Sequence, residues 1–145
     1  MTLDFEDFAV GQTFESGTLA VDADMVRDFA AQFDPQPFHL DANAAKDSFF
    51  GTLVASGWHT ASLSMRLLVQ SLPISGGVVG AGAQVAWPKA LVAGETISLK
   101  IDVVELRASK SKPHLGFVKI RATTSDRTGP VQIMTADLVA PRRPA

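Results

Sequence analysis

Between residues 22 and 33 the apolar positions Met25, Val26, Phe29 and Phe33 recur three and four apart. That spacing lines one face of an α-helix. Asp22 stands where an N-cap acceptor belongs, and Asp34-Pro35 should end the helix, because a residue before proline is pushed out of the α region. After a loop, Asp41-Ala-Asn-Ala-Ala-Lys46 predicts a short second helix with an aspartate cap of its own. The longest helix is predicted over residues 57–70. Ser56 would be its N-cap, and Pro73 with Gly76-Gly77 would close the segment. Its apolar residues Trp58, Ala61, Leu63, Met65, Leu67, Leu68 and Val69 fall on several faces, so it is expected to be buried on more than one side.

From Val78 the period changes. Residues 78–92 are β-branched and small, and residues 96–106 alternate through Ile97, Leu99, Ile101 and Val103. Residues 115–124 and 131–139 behave alike. Turn signals at Ala93-Gly94-Glu95, residues 109–113 and residues 126–130 separate these runs. They read as four consecutive antiparallel strands with short connections, and residues 12–20 supply a candidate fifth. The fold class is therefore α+β: a bent antiparallel sheet wrapped around one long central helix, in a single domain over residues 1–145. A sheet edge or a half-covered helix left exposed in such a fold favours a homodimer or a higher homo-oligomer.

Composition narrows the function. Apolar residues make up 46% and charged residues 19%, which suits a folded globular chain. The formal net charge of −2 gives no basic surface for nucleic acid. There are no cysteines, so disulfides, thiolate metal sites and a cysteine nucleophile drop out. The opening MTLDFEDFAVG lacks the basic and apolar regions of a signal peptide, and no apolar run reaches bilayer length. A cytoplasmic location without membrane attachment is the expectation.

One stretch carries candidate chemistry. In Phe33-Asp-Pro-Gln-Pro-Phe-His-Leu-Asp41 two prolines flank Gln36, with Asp34 and His39 on either side. On its own this is either a stiff surface turn or an acid/base pair held in place. The long helix opens at Ser56-Gly57, where unpaired N–H groups and the positive end of the dipole gather. The Gly57 N–H is a natural donor to an oxygen that gains negative charge. Of the remaining candidates, His59 reads as a core or lining residue, Trp58 as core before ligand, and His114 as solvated. Asp41 reads as a cap, and Lys46 and Asp47 as surface. Ser56 is a cap first, and no Gly-x-Ser-x-Gly elbow marks it as a nucleophile.

Asp34-Pro-Gln-Pro-Phe-His39, followed eighteen positions later by Gly57, resembles the hydratase motif of the MaoC-like, (R)-specific enoyl-CoA hydratase family. The resemblance continues through residues 50–57, Ala61-Ser-Leu63, Trp87-Pro-Lys89, Ala93-Gly-Glu95 and the opening residues 5–12. It implies a hot-dog fold, usually dimeric or larger, and the reversible, stereospecific addition of water to a trans-2-enoyl-CoA thioester. It implies Asp34 and His39 as the acid/base pair and Gly57 as donor to the thioester oxygen. Gln36, Ser56 and Trp58 would be neighbours in the substrate site. It implies no metal and no redox cofactor, with coenzyme A present only as part of the substrate. Three positions depart from the family pattern. Gln36 stands where asparagine is usual, Ser56 where many members have histidine, and Met65 where some carry a serine that supports the acid. Two other functions share the fold: an acyl-CoA thioesterase and a non-catalytic acyl-CoA-binding subunit.

Overall fold

The computed structural model describes residues 1–144. A single 3₁₀ turn, Phe5–Asp7, leads into strand β1 (Thr13–Ala20). Three helices follow: α1 (Ala23–Phe33), α2 (Pro37–Leu40) and α3 (Ala42–Lys46). Then come the long helix α4 (Gly57–Ser71) and strands β2 (Val79–Ala86), β3 (Thr96–Ala108), β4 (Leu115–Asp126) and β5 (Gly129–Pro141). The caps lie where the sequence places them. The side chains of Asp22, Asp41 and Ser56 accept from the N–H groups of Met25, Asn43 and Trp58. Each satisfies a donor that the first helical turn leaves free.

All strand pairs are antiparallel, and the sheet order is β1-β3-β4-β5-β2. This corrects the expectation of four strands paired in chain order. Strand β2 does not pair with β3. It lies on β5 at the far edge, while β1 takes the place beside β3. The reason is the segment between β2 and β3. Instead of a tight turn it is a crossover, tied by Ala55 N–H to Leu91 O (2.8 Å) and Ala93 N–H to Leu53 O (3.0 Å). Gly94, at φ +98°, makes the bend that returns the chain to β3. Irregularities in all four strand pairings bend and twist the sheet, as β-bulges do.

The sheet's inner face supplies Leu99, Ile101, Val118, Ile120, Met134 and Leu138 to the core. Helix α4 packs there through Leu63, Leu67 and Leu68, with Leu72 following. Its other side is open, which corrects the expectation of burial on most sides. Trp58 is 61% exposed, and Met65 and Val69 are exposed with it. The sheet covers one flank of the helix, and none of the described residues covers Trp58, Met65 and Val69 on the opposite one.

Candidate active site

Helix α1 stops at Asp34 because Pro35 follows. Its C-cap leaves the α region, with φ −153° and ψ 67°. Pro37 then opens α2 from its first turn, where a missing N–H costs nothing. Residues 37–40, expected as loop, thus form a turn of helix that carries His39. Two bends stiffened by proline hold the carboxylate and the imidazole on consecutive elements.

His39 is buried and fixed from behind. Its Nδ1 donates to the Val54 carbonyl at 2.6 Å, and the Val54 N–H donates back to Phe38 O at 3.2 Å. A carbonyl only accepts, so the Nδ1 hydrogen is assigned by its partner, and Nε2 faces the site. Nε2 lies 3.4 Å from Asp34 Oδ2. The other carboxylate oxygen, Oδ1, accepts from Gln36 Nε2 at 2.6 Å. Burial opposes charge on Asp34, but the Ser56 hydroxyl, the Gln36 amide and His39 outweigh it. Together they lower the carboxyl below the ordinary aspartate value. Asp34 is therefore a carboxylate at neutral pH, with one oxygen committed to Gln36 and the other turned toward the imidazole.

A neutral imidazole with its hydrogen on Nδ1 would set a lone pair against that carboxylate. The arrangement is favourable when one proton sits between Nε2 and Oδ2. A carboxylate and an imidazole at that separation can pass a proton between them and to a third group.

Asp34, Gln36, His39, Gly57 and Trp58 all line one cleft of ≈ 510 Å³. Five of the six residues singled out from the sequence thus meet in one place. Ser56 is fully buried beneath the cleft rather than in its wall, where it caps α4 and supports Asp34. Trp58 is a wall residue, not core. Met65 lies outside the cleft, two turns along the exposed side of α4. His59 points the other way, and its ring stacks on Phe29 with centroids 4.5 Å apart and planes 6° apart. Its Nδ1 is buried without a partner, and burial lowers its pKa.

The apolar walls were missed. Phe38, Phe49 and Phe50 close one side, and Trp87, Lys89 and Leu91 of the β2–β3 crossover close the other. Phe38 lies edge-on to His39 (4.7 Å) and to Phe50 (5.2 Å). The crossover is bolted to the sheet at two points. Trp87 Nε1 donates to Gln132 Oε1 at 3.0 Å, and Lys89 Nζ reaches both oxygens of the buried Asp126 at 2.8 and 2.9 Å. Only the Trp-Pro-Lys string hinted at this wall, and only its crossover path puts it there. The Gly57 N–H, in the first turn of α4, has no protein acceptor among the described residues.

The sequence and structure match known proteins over most of their length. A family model described as MaoC like domain matches residues 6–125. The chain is 45% identical to the MaoC-like dehydratase from Rhodospirillum rubrum, across 99% of each chain, with a TM-score of 0.95. It is 25% identical to the (R)-hydratase from A. caviae involved in PHA biosynthesis, covering 95% of this chain and 99% of that one at a TM-score of 0.74. A shorter stretch of 65 residues is 35% identical to the uncharacterized protein YdeM of Bacillus subtilis (strain 168). That match spans 45% of this chain and 46% of YdeM, under half of the curated relative.

Proposed function

The chain belongs to the MaoC-like domain family, and from that premise we propose that it is a hydro-lyase acting on a trans-2-enoyl thioester of coenzyme A. The observation that carries the proposal is the convergence of Asp34, His39 and the free Gly57 N–H on one cleft. Hydration of a conjugated double bond needs those three functions. Asp34 takes a proton from water as the oxygen bonds to C3. The electron pair of the double bond moves in between C2 and the thioester carbon, the carbonyl pair moves onto the oxygen, and the Gly57 N–H donates a hydrogen bond to the enolate oxygen. His39 delivers a proton to C2, and the carbonyl re-forms. The proton on Asp34 then passes across the 3.4 Å gap to Nε2, which restores the pair. Acid/base groups contribute about 10²–10⁴-fold and one oxyanion donor about 10²–10³-fold. No electrons leave or enter the substrate, so the reaction calls for no redox cofactor.

Loss of the conjugated thioester absorbance reports hydration, and a free-thiol reagent reports hydrolysis. Turnover in the first assay without thiol release supports the hydratase. Thiol release would move the protein to the thioesterases. Binding of acyl-CoA without either signal would make it a binding subunit. Abolition of turnover by Asp34→Asn and His39→Ala supports the roles assigned to them, and retention would remove those roles.

The same reading includes a homo-oligomer. Edge strand β2, Val-Gly-Ala-Gly-Ala-Gln-Val-Ala, carries no charge or proline, and it is exposed at nearly every position. Such an edge invites pairing with another strand. The open side of α4, with Trp58, Met65 and Val69, adds an apolar surface beyond that edge. Sedimentation at micromolar concentration, compared with a β2 variant carrying Ala83→Lys, tests it. A monomeric wild-type chain would end this part of the proposal.

A further inference from the structure

Gly57 sits under an indole. A Cβ built on Gly57 would lie 2.8 Å from Trp87 Cε2 and 3.0 Å from Cδ2 and Cζ2. No side chain larger than hydrogen fits between that backbone and the ring. This glycine therefore has a packing role beside that of its N–H. The absent side chain lets Trp87 lie directly on the first turn of α4. Trp58 meets the same indole edge-on, with centroids 5.2 Å apart at 84°.

The ring is held by a buried bond. Gln132 is 1% exposed, and its Oε1 accepts from Trp87 Nε1 at 3.0 Å. Gln132 lies on β5 directly opposite Thr124 of β4, and the Thr124 hydroxyl bonds Ser64 of α4 at 2.6 Å. Sheet and helix thus grip the same spot from two sides. A buried glutamine is costly unless bonded, so its bond to an indole at a cleft wall has a use in that position.

We propose that Trp87, anchored by Gln132, is a positioning residue for the thioester, setting where the Gly57 N–H points and closing its water side. The proposal rests on the hydratase reading for its substrate. The indole is an apolar plate beside a backbone donor, and a donor shielded from water acts on a developing oxyanion more strongly than one in bulk solvent. Without the Gln132 bond the half-exposed indole can turn outward and hydrate its N–H. The helix end then loses the plate above it, and the cleft opens at the place where the oxygen gathers charge.

Three variants and one reporter test this. Gln132→Leu removes the acceptor at similar volume, Gln132→Glu keeps an acceptor, and Trp87→Phe keeps a ring without the N–H. With crotonyl-CoA, Gln132→Leu is expected to lower kcat on the order of tenfold, part of the roughly 10²–10³-fold carried by one donor. KM should move less than threefold, and Gln132→Glu should recover most of kcat. Added to Trp87→Phe, Gln132→Leu should cost nothing further, because its effect runs through the indole N–H. An equal loss in both backgrounds, or a loss confined to KM, overturns the proposal. If Gln132→Leu does not fold, the kcat and KM of Trp87→Phe decide. The chain has two tryptophans, so Trp58→Phe leaves Trp87 as the sole indole emitter. Saturating butyryl-CoA, which cannot be hydrated, should change its emission, and Gln132→Leu should abolish the change. If enoyl-CoA is never turned over but butyryl-CoA binds and moves this emission, the hydratase reading fails and the plate stands. Calorimetric binding without an emission change overturns the plate, and the absence of both binding and turnover overturns both.

Discussion

Gly57→Ala is the sharpest perturbation the structure offers. The added carbon would start 2.8 Å from Trp87 Cε2, against about 3.5–4.0 Å for a relaxed carbon contact. The ring must retreat by roughly 1 Å, or the first turn of α4 must shift by as much. The indole does not yield freely, because its N–H is bonded to the buried Gln132. Overpacking of this kind costs about 1–3 kcal/mol. Alanine recovers at most about 1 kcal/mol over glycine in a helix, and less at its first position. The net expectation is a loss of about 1–2 kcal/mol, which lowers Tm by roughly 3–6 °C for a domain of this size. Thermal unfolding followed by circular dichroism measures it. In a Trp87→Leu background the obstacle is gone, so Gly57→Ala should become neutral or mildly stabilising. If Gly57→Ala matches wild type, or carries the same penalty in both backgrounds, the packing argument for this glycine is wrong. Displacing the N–H by that distance should also reduce enoyl-CoA turnover by about 10–10²-fold, since ångström-scale misplacement has effects of that size.

Other outcomes follow from single contacts. His59 is buried with its pKa lowered, so the unfolded chain binds more protons than the folded one as pH falls through 6.5 toward the lowered folded value. Stability should therefore decline over that interval, and His59→Phe, which keeps the stack on Phe29, should flatten the decline in pH-dependent Tm scans. Asp34 is also lowered, so its contribution is present above the ordinary aspartate value of 3.8 and lost as pH falls through the folded value. Activity lost on acidification while the pH is still well above that value would contradict the carboxylate assignment. Ser64→Ala leaves the buried Thr124 hydroxyl without its 2.6 Å partner and should cost about 1–2 kcal/mol in urea unfolding. Ser64→Ala with Thr124→Val should recover most of this, because neither polar group then remains. Gln36→Asn shortens the arm that holds Asp34 Oδ1 at 2.6 Å, and a fall in kcat with stability unchanged is the expected result.

The parts of the site that could be read in advance are those built from neighbours in the chain. The Asp34-Pro35 stop, the Ser56 cap and the pairing of Asp34 with His39 follow from dihedral restriction and capping within a few residues. The parts that could not be read depend on register between distant segments. Alternation along residues 131–139 puts Val131 and Gln132 on opposite faces. The irregular pairing between Thr124 and Ser125 breaks that alternation, so both are buried and Gln132 can reach Trp87. The exposed flank of α4 was misjudged for a related reason. An apolar count around a helix reports what will be covered, but not whether the same chain or a second copy covers it. Strand order went astray at Trp87–Glu95, because a glycine-containing connection between two β patterns looks like a hairpin unless its bonds to residues 53–55 are known.

Those long-range bonds also explain why a site on short elements can hold its geometry. Helices α2 and α3, of four and five residues, are too short to be stable alone. His39 is held instead by Val54, which lies in the segment zipped to the β2–β3 crossover. The crossover in turn is tied to the β4–β5 hairpin through Lys89 and Asp126, and to β5 through Trp87 and Gln132. Asp34 with His39, the start of α4 and the Trp87 indole therefore share one support, reached through main-chain groups at 54, 55 and 91. Side-chain substitution at Val54 does not remove the carbonyl that sets the His39 tautomer. Val54→Ala should lower stability through lost core packing and leave the kcat of the folded fraction near wild type. His39→Gln, which cannot place one nitrogen on that carbonyl and a second toward Asp34, should lose kcat even when folded. Equal kcat losses in the two variants would mean that the carbonyl contact does not organise the pair.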